Sequence, residues 1–126
     1  MSTTIQEGKF LSDLLGAHDI SDFVPEVVGV SPTSPPLERG DVVCMIAGSQ
    51  DITLAGSQGT TPADVYGILL DYAINPVTQP GVNATVARSG VYDALMLRVD
   101  ASTTLDAFAP SLRSAGIFLE KLNLVK

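Results

Sequence analysis

The sequence contains few of the side chains that carry out catalysis or bind metal ions. His18 is the only histidine and Cys44 the only cysteine among the 126 residues. A zinc site needs three or four His, Cys or carboxylate ligands, and no cysteine lies near His18 in the sequence. We therefore expect a solvated His18 and predict no metal site. Cys44 lies in the apolar stretch 42–47, which is typical of an inert buried thiol.

The other motifs also give no indication of catalysis. The 14 acidic residues are spread singly along the chain, as on a solvated surface. The sequence has no P-loop, dinucleotide-binding or serine-hydrolase motif. Residues 39–41 spell Arg-Gly-Asp, which some cell-adhesion receptors bind, but we interpret them as a polar turn in which Gly40 supplies a positive φ. We predict that the protein is not an enzyme and takes no cofactor.

The charge balance and hydrophobicity restrict the classes of partner. The net charge is −7, with 14 acidic and 7 basic residues. Nucleic-acid phosphates bind clustered basic residues, so we predict no nucleic-acid partner. The longest apolar stretch is too short to span a bilayer, and the first ten residues do not resemble a secretory signal, so we predict no membrane partner. Because 45% of the residues are hydrophobic and 17% charged, either the core is large or apolar surface binds another protein.

The composition changes near residue 37. Residues 1–36 are acidic and end in Ser-Pro-Thr-Ser-Pro-Pro, whose prolines favour extended backbone. We predict an N-terminal arm and proline-rich linker over residues 1–36, followed by a folded domain over residues 37–126.

Within the arm, four apolar residues fall on one side of a short helix. Phe10, Leu11, Leu14 and Leu15 are spaced i, i+1, i+4, i+5, and we refer to them as the arm stripe. About two turns of helix are not stable alone in water. The arm stripe therefore packs either on the chain's own core or on another protein, and the sequence leaves both alternatives open.

The predicted domain consists of short strands and one helix near its C-terminus. Thr103 or Thr104 is placed to cap this helix, with Pro110 inside it and Gly116 beyond its end. Residues 91–97 fit a strand or a helix equally well. The fold class is thus mainly β with minor α (α+β). Strands are predicted at residues 42–47, 51–54, 65–74, 84–88 and 117–125.

Four segments together resemble a known protein family. They are residues 39–43 (RGDVV), 63–70 (ADVYGILL), 84–92 (ATVARSGVY) and 112–119 (LRSAGIFL). This pattern covers roughly residues 37–122 and resembles the head decoration proteins of tailed bacteriophages, which are small cement proteins that bind outside a mature capsid.

The resemblance implies a compact β-tulip fold preceded by an extended N-terminal arm. It also implies binding to the major capsid protein on the outer surface of the virion head, bridging and stabilising neighbouring subunits, by a protein made in the host bacterial cytoplasm. Many such proteins form trimers, so a homo-oligomer is expected. Their arms become ordered on the capsid, which makes the apolar arm residues the expected capsid-binding residues: Ile5, Phe10, Leu11, Leu14, Leu15, Ile20 and Phe23.

Two other function classes fit the sequence less well. Another structural phage protein, such as a head–tail adaptor or tail component, would share the β content and the acidity. A small-molecule-binding or enzymatic β module would need a pocket into which polar groups converge.

Overall fold

The computed structural model describes residues 25–120, which form a mainly β structure with one α-helix. The coarse fold class predicted from the sequence, α+β, is therefore confirmed. Residues 1–24 and 121–126 lie outside the described residues. His18 and all the predicted capsid-binding residues fall in the first of these segments: Ile5, Phe10, Leu11, Leu14, Leu15, Ile20 and Phe23.

The described chain contains nine strands, one α-helix and two short 3₁₀ turns. The 3₁₀ turns are Pro62–Asp64 and Ala94–Met96, and the helix α1 is Leu105–Ser114. The strands are β1 (Pro25–Val30), β2 (Leu37–Glu38), β3 (Val42–Met45), β4 (Asp51–Leu54), β5 (Val65–Leu69), β6 (Ala73–Ile74), β7 (Asn83–Ala87), β8 (Gly90–Asp93) and β9 (Ile117–Glu120).

Five of these strands close into a barrel in the order β1-β4-β3-β5-β7. The β1–β4 pair is parallel and the other neighbouring pairs are antiparallel. Gly67 allows β5 to approach β7 closely, because a Cβ atom there would collide with the carbonyl oxygen of Ala87. The short strands β2 and β6 form a separate antiparallel pair.

Both faces of β3 are buried, because one face packs in the core inside the barrel and the other packs toward helix α1. Along β3, Val43 and the half-buried Met45 belong to the core inside the barrel, whereas Val42 and Cys44 pack toward α1. This arrangement explains why residues 42–45 are apolar without alternation. The predicted strand 42–47 ends at Met45, and Ala47 is exposed.

Strands β8 and β9 are parallel, and parallel neighbours must be joined by a crossover connection. Helix α1 lies in this crossover. It begins as the sequence predicts: the Thr104 hydroxyl accepts a hydrogen bond from the backbone N–H of Ala107 at 3.3 Å. Phe108 and Leu112 are fully buried against the barrel. Gly116, at φ +91°, turns the chain from the helix into β9, which confirms its predicted place beyond the helix end.

The main difference from the sequence analysis is β1. The sequence placed residues 1–36 in the arm and linker, whereas the structure places residues 25–30 in the barrel, where they pair with both β7 and β4. Pro25 is compatible with this role because it occupies the first position of the strand, where a missing N–H is tolerated. The neighbouring prolines made this strand resemble linker sequence.

Two other stretches also differ in extent from their predictions. Residues 65–74 form β5 and β6 instead of one strand, because the Asp71 carboxylate accepts the backbone N–H of Thr85 at 2.7 Å in place of a ladder partner. Residues 91–97 combine both alternatives: β8 ends at Asp93, whose carboxylate accepts the N–H of Leu95 at 3.0 Å and begins a 3₁₀ turn.

Candidate protein-binding site at the start of the first strand

Within residues 25–120, most of β1 has a strand on one side only. Residues 25–29 pair with β7, whereas β4 pairs only with Gly29 and Val30. Residues 25–28 therefore have no ladder partner on the β4 side among residues 25–120, and we refer to them as the open edge of β1.

The hydrogen bonds at the other end of β1 show which backbone groups face this side. The N–H of Val30 donates to Val82 on the β7 side at 3.1 Å, whereas the N–H of Ser31 donates to Ile52 of β4 at 2.9 Å. Because these directions alternate along a strand, the N–H and C=O of Val27 point toward the open side. Backbone groups at such an edge can pair with a strand of another protein.

The open edge also presents an apolar side chain to solvent. The side chain of Val27 is 71% exposed, whereas the next residue, Val28, is half-buried and packs against the core inside the barrel. The alternation of a strand thus leaves Val27 on the outside. An apolar side chain beside backbone groups that have no ladder partner within the described residues is the combination that strand-adding partners bind.

A cluster of three polar side chains fixes the beginning of β1. The Nη1 atom of Arg88 lies 3.1 Å from Oε1 of Glu26, and the Tyr66 hydroxyl donates a hydrogen bond to the same oxygen. Arg88 also donates through Nε to the carbonyl of Tyr66 at 2.8 Å, and its guanidinium lies 3.9 Å from the centre of the Tyr66 ring. The Glu26–Tyr66–Arg88 cluster therefore links β1 to β5 and to the end of β7.

The same contacts shift the pKa values within the cluster. The hydrogen bond from Tyr66 and then that from Arg88 lower the pKa of Glu26, because both stabilise its carboxylate. The pKa of Tyr66 is raised, chiefly because its hydroxyl donates to that carboxylate. In this cluster Tyr66 and Arg88 both donate to the ionised Glu26 carboxylate. These contacts can orient the start of β1.

The Arg-Gly-Asp tripeptide is part of a structural turn, in agreement with the sequence interpretation. Asp41 is 1% exposed, and its two carboxylate oxygens accept hydrogen bonds from Nε and Nη2 of Arg98, each at 2.7 Å. One of these oxygens also accepts the backbone N–H of Glu38 at 2.7 Å. Gly40 has a φ of +95°. The Asp41 carboxylate is therefore engaged within the protein.

The single cysteine is buried, as the sequence predicts. Cys44 has no exposed surface. Burial raises the pKa of its thiol from 9.0 to about 11. The thiol is consequently protonated at neutral pH.

Sequence reasoning missed the residues of this site. Glu26 and Val27 fell in the predicted arm and linker over residues 1–36, and Tyr66 and Arg88 were interpreted only as parts of strands. The one available signal was the spacing of Val28 and Val30, which alternates as a strand does. The predicted capsid-binding residues precede this site in the chain and lie outside the described part.

Neither the described structure nor the comparisons assign a further function to this surface. Within residues 25–120, no group of three or more His, Cys, Asp or Glu side chains is arranged to hold a metal ion, and no helix is both long and apolar enough to cross a membrane. The sequence matches no known protein-family model, and no curated protein matches it.

Proposed function

We propose that this protein is a bacteriophage capsid decoration protein. It binds the outer surface of the mature head and stabilises the head by bridging neighbouring subunits of the major capsid protein. The observation that carries the proposal is the open edge of β1 with the exposed Val27, since the predicted arm leads directly into it.

The arm and the open edge supply complementary kinds of contact. The edge offers backbone hydrogen bonds, and the apolar residues of the arm offer surface to bury. Complete burial of a Leu, Ile or Phe side chain contributes roughly 1.5–3 kcal/mol. Ordering the arm and losing free translation offset part of this gain. The Glu26–Tyr66–Arg88 cluster holds β1 in place, so the arm leaves the barrel at a fixed point.

The finer features of the proposal come from the family resemblance. They are a β-tulip fold, an extended N-terminal arm and a trimer on the virion surface. Joining three arms in one trimer raises the effective concentration of each arm at the shell. A protein that binds only joined capsid subunits stabilises the joined state by mass action. The net charge of −7 suits a position outside the shell, where a basic protein would be attracted to nucleic acid.

Co-sedimentation of the purified protein with capsid shells tests the proposal. We expect the wild-type protein to sediment with expanded shells, occupying many equivalent sites. Binding at a unique vertex would instead indicate a head–tail adaptor. Failure to sediment with either expanded or unexpanded shells would contradict the proposal.

Two exposed valines provide a matched comparison within this assay. Val27→Asp places a charge on the open edge, and we expect it to weaken shell binding roughly 10-fold, because burial of a valine is worth roughly 1.5 kcal/mol. Val77, in the turn between β6 and β7, is 78% exposed, and Val77→Asp is expected to leave binding unchanged. Equal losses for the two variants would remove the open edge from the binding surface.

A further inference from the structure

A carboxylate lies beside the open edge of β1 on the outer face of the barrel. Val28 packs inside the barrel, so the alternation of the strand places Val27 and Gly29 on the outer face. Gly29 pairs with Asp51 of β4, and a Cβ atom at Gly29 would lie only 2.6 Å from Oδ1 of Asp51. The Asp51 carboxylate therefore lies over Gly29, about 6–7 Å along the strand from Val27.

A second side-chain oxygen faces the same position. Asn83 pairs with Gly29 on the β7 side, and its Oδ1 atom would lie 3.7 Å from a Cβ atom at Gly29. Neither of the two ion pairs among residues 25–120 includes Asp51. Carboxylate and amide oxygens accept hydrogen bonds, whereas a Lys ammonium or an Arg guanidinium carries only donors. The surface over Gly29 is therefore complementary to a basic side chain of a partner.

The open edge offers few backbone groups, which limits the length of a paired segment. Val27 directs its N–H and C=O to the open side, and the same alternation directs the C=O of Pro25 there, although proline has no N–H. A strand added here would be collinear with β4, which begins at Asp51 opposite Gly29. Such a strand can pair only with residues 25–28, and its chain must turn away beside the Asp51 carboxylate.

We propose that the open edge of β1 binds a short extended segment in which a Lys or Arg lies two positions from an apolar residue. The backbone of the segment pairs with Val27, and its apolar side chain covers the side chain of Val27. Its basic side chain meets the carboxylate of Asp51. That the major capsid protein supplies this segment rests on the function proposed above, whereas the chemistry of the segment does not.

The charge of the edge argues against a second copy of this chain as its occupant. A second copy would bring its own Asp51 to the pairing, and each chain has a net charge of −7. Like charges on neighbouring strands are destabilising, and the few backbone hydrogen bonds available at the edge offset little of this cost. A segment of opposite charge instead gains in association rate and in specificity.

Titration of the full-length protein with synthetic peptides, followed by NMR, tests the proposal. The probe is acetyl-Lys-Thr-Val-Thr-Lys-amide, whose lysines flank the valine at two positions on both sides, so that it suits either strand direction. We expect it to shift the amide resonances of residues 26–28 and 51. The control, acetyl-Glu-Thr-Val-Thr-Glu-amide, should bind roughly 5-fold more weakly or not at all. Absence of shifts at residues 26–28, or equal affinity for the two peptides, would overturn the proposal.

Two charge changes in the protein test whether Asp51 is the group that meets the lysine. Asp51→Asn and Asp106→Asn each remove one negative charge, so both reduce the general attraction of a cationic peptide equally. Asp106 is exposed on α1. We expect Asp51→Asn to raise the Kd of the lysine peptide roughly 2- to 5-fold relative to Asp106→Asn. The resonances of the barrel strands report whether each variant is folded. Equal Kd values in the two folded variants would overturn the role of Asp51.

The same measurements separate the possible occupants of the edge. Pairing with a second copy would shift the resonances of residues 26–28 with protein concentration in the absence of peptide, and this result would overturn the proposal. Co-sedimentation without peptide binding would overturn this inference and leave the proposed function standing. Peptide binding without co-sedimentation would overturn the proposed function alone. If the capsid protein supplies the segment, Asp51→Asn also weakens shell binding more than Asp106→Asn does.

Discussion

Arg98 and Asp41 form a bidentate ion pair in which the carboxylate is buried and the guanidinium is partly exposed. Both hydrogen bonds measure 2.7 Å. Arg98 also donates to the carbonyl of Pro36 at 3.3 Å. The pair therefore ties the turn before β3 to the segment that leads toward α1.

We expect Arg98→Ala to lower the free energy of unfolding by about 2–3 kcal/mol, because it leaves the buried Asp41 carboxylate without its cation. Arg113→Ala removes an exposed arginine with no ion pair among the described residues and should change stability by less than about 0.5 kcal/mol. Urea unfolding of both variants measures the difference. Similar effects of the two changes would show that the ion pair adds nothing beyond an exposed arginine.

Burial of Cys44 makes stability depend on pH in the alkaline range. Its folded pKa of about 11 exceeds the unfolded value near 9.0, so the folded state retains the proton more tightly. This contribution is complete below pH 9 and is lost as the pH rises from about 9 to about 11. Urea unfolding across this range should show a steeper fall for the wild type than for Cys44→Ala. If the free energy of unfolding fell equally with pH in the two proteins, folding would not raise the pKa of the Cys44 thiol.

The Glu26–Tyr66–Arg88 cluster makes a prediction about the pKa of its carboxylate. The hydrogen bond from the Tyr66 hydroxyl and then that from Arg88 lower the pKa of Glu26. NMR titration should therefore find that the Glu26 pKa rises toward 4.5 in both Tyr66→Phe and Arg88→Gln. The lowered pKa also means that Glu26 adds stability above pH 4.5 that is lost as the pH falls. An unchanged Glu26 pKa in both variants would contradict this description of the cluster.

Two deletions separate the arm from the barrel. Removal of residues 1–24 leaves β1 intact, so we expect a folded protein with weakened shell binding. Removal of residues 1–30 deletes β1, which pairs with both β7 and β4, and we expect it to abolish cooperative urea unfolding. If the shorter deletion also abolished it, the arm would be part of the folded unit.

Local sequence signals predicted the features that depend on neighbouring residues. The Thr104 cap, the reversal at Gly116 and the turn at Gly40 each involve hydrogen bonds or backbone angles within a few residues. Such features follow from side-chain type alone.

Features that depend on distant residues were not predictable in the same way. Val27 pairs with Thr85, and nothing in the segment Pro-Glu-Val-Val-Gly-Val identifies so distant a partner. The Glu26–Tyr66–Arg88 cluster likewise joins three separate segments, so no spacing along the chain reveals it. Asp71 divided a predicted strand through one hydrogen bond to the distant Thr85.

The β1–β7 pairing also constrains how the chain folds during synthesis. Residues 25–30 leave the ribosome well before residues 83–87, with which the strand pairs. Closure over such a sequence separation is slow compared with hairpin formation, and unpaired strands are prone to aggregation in the meantime. The side of β1 that pairs with β7 must therefore remain unpaired, without self-associating, until translation passes residue 87.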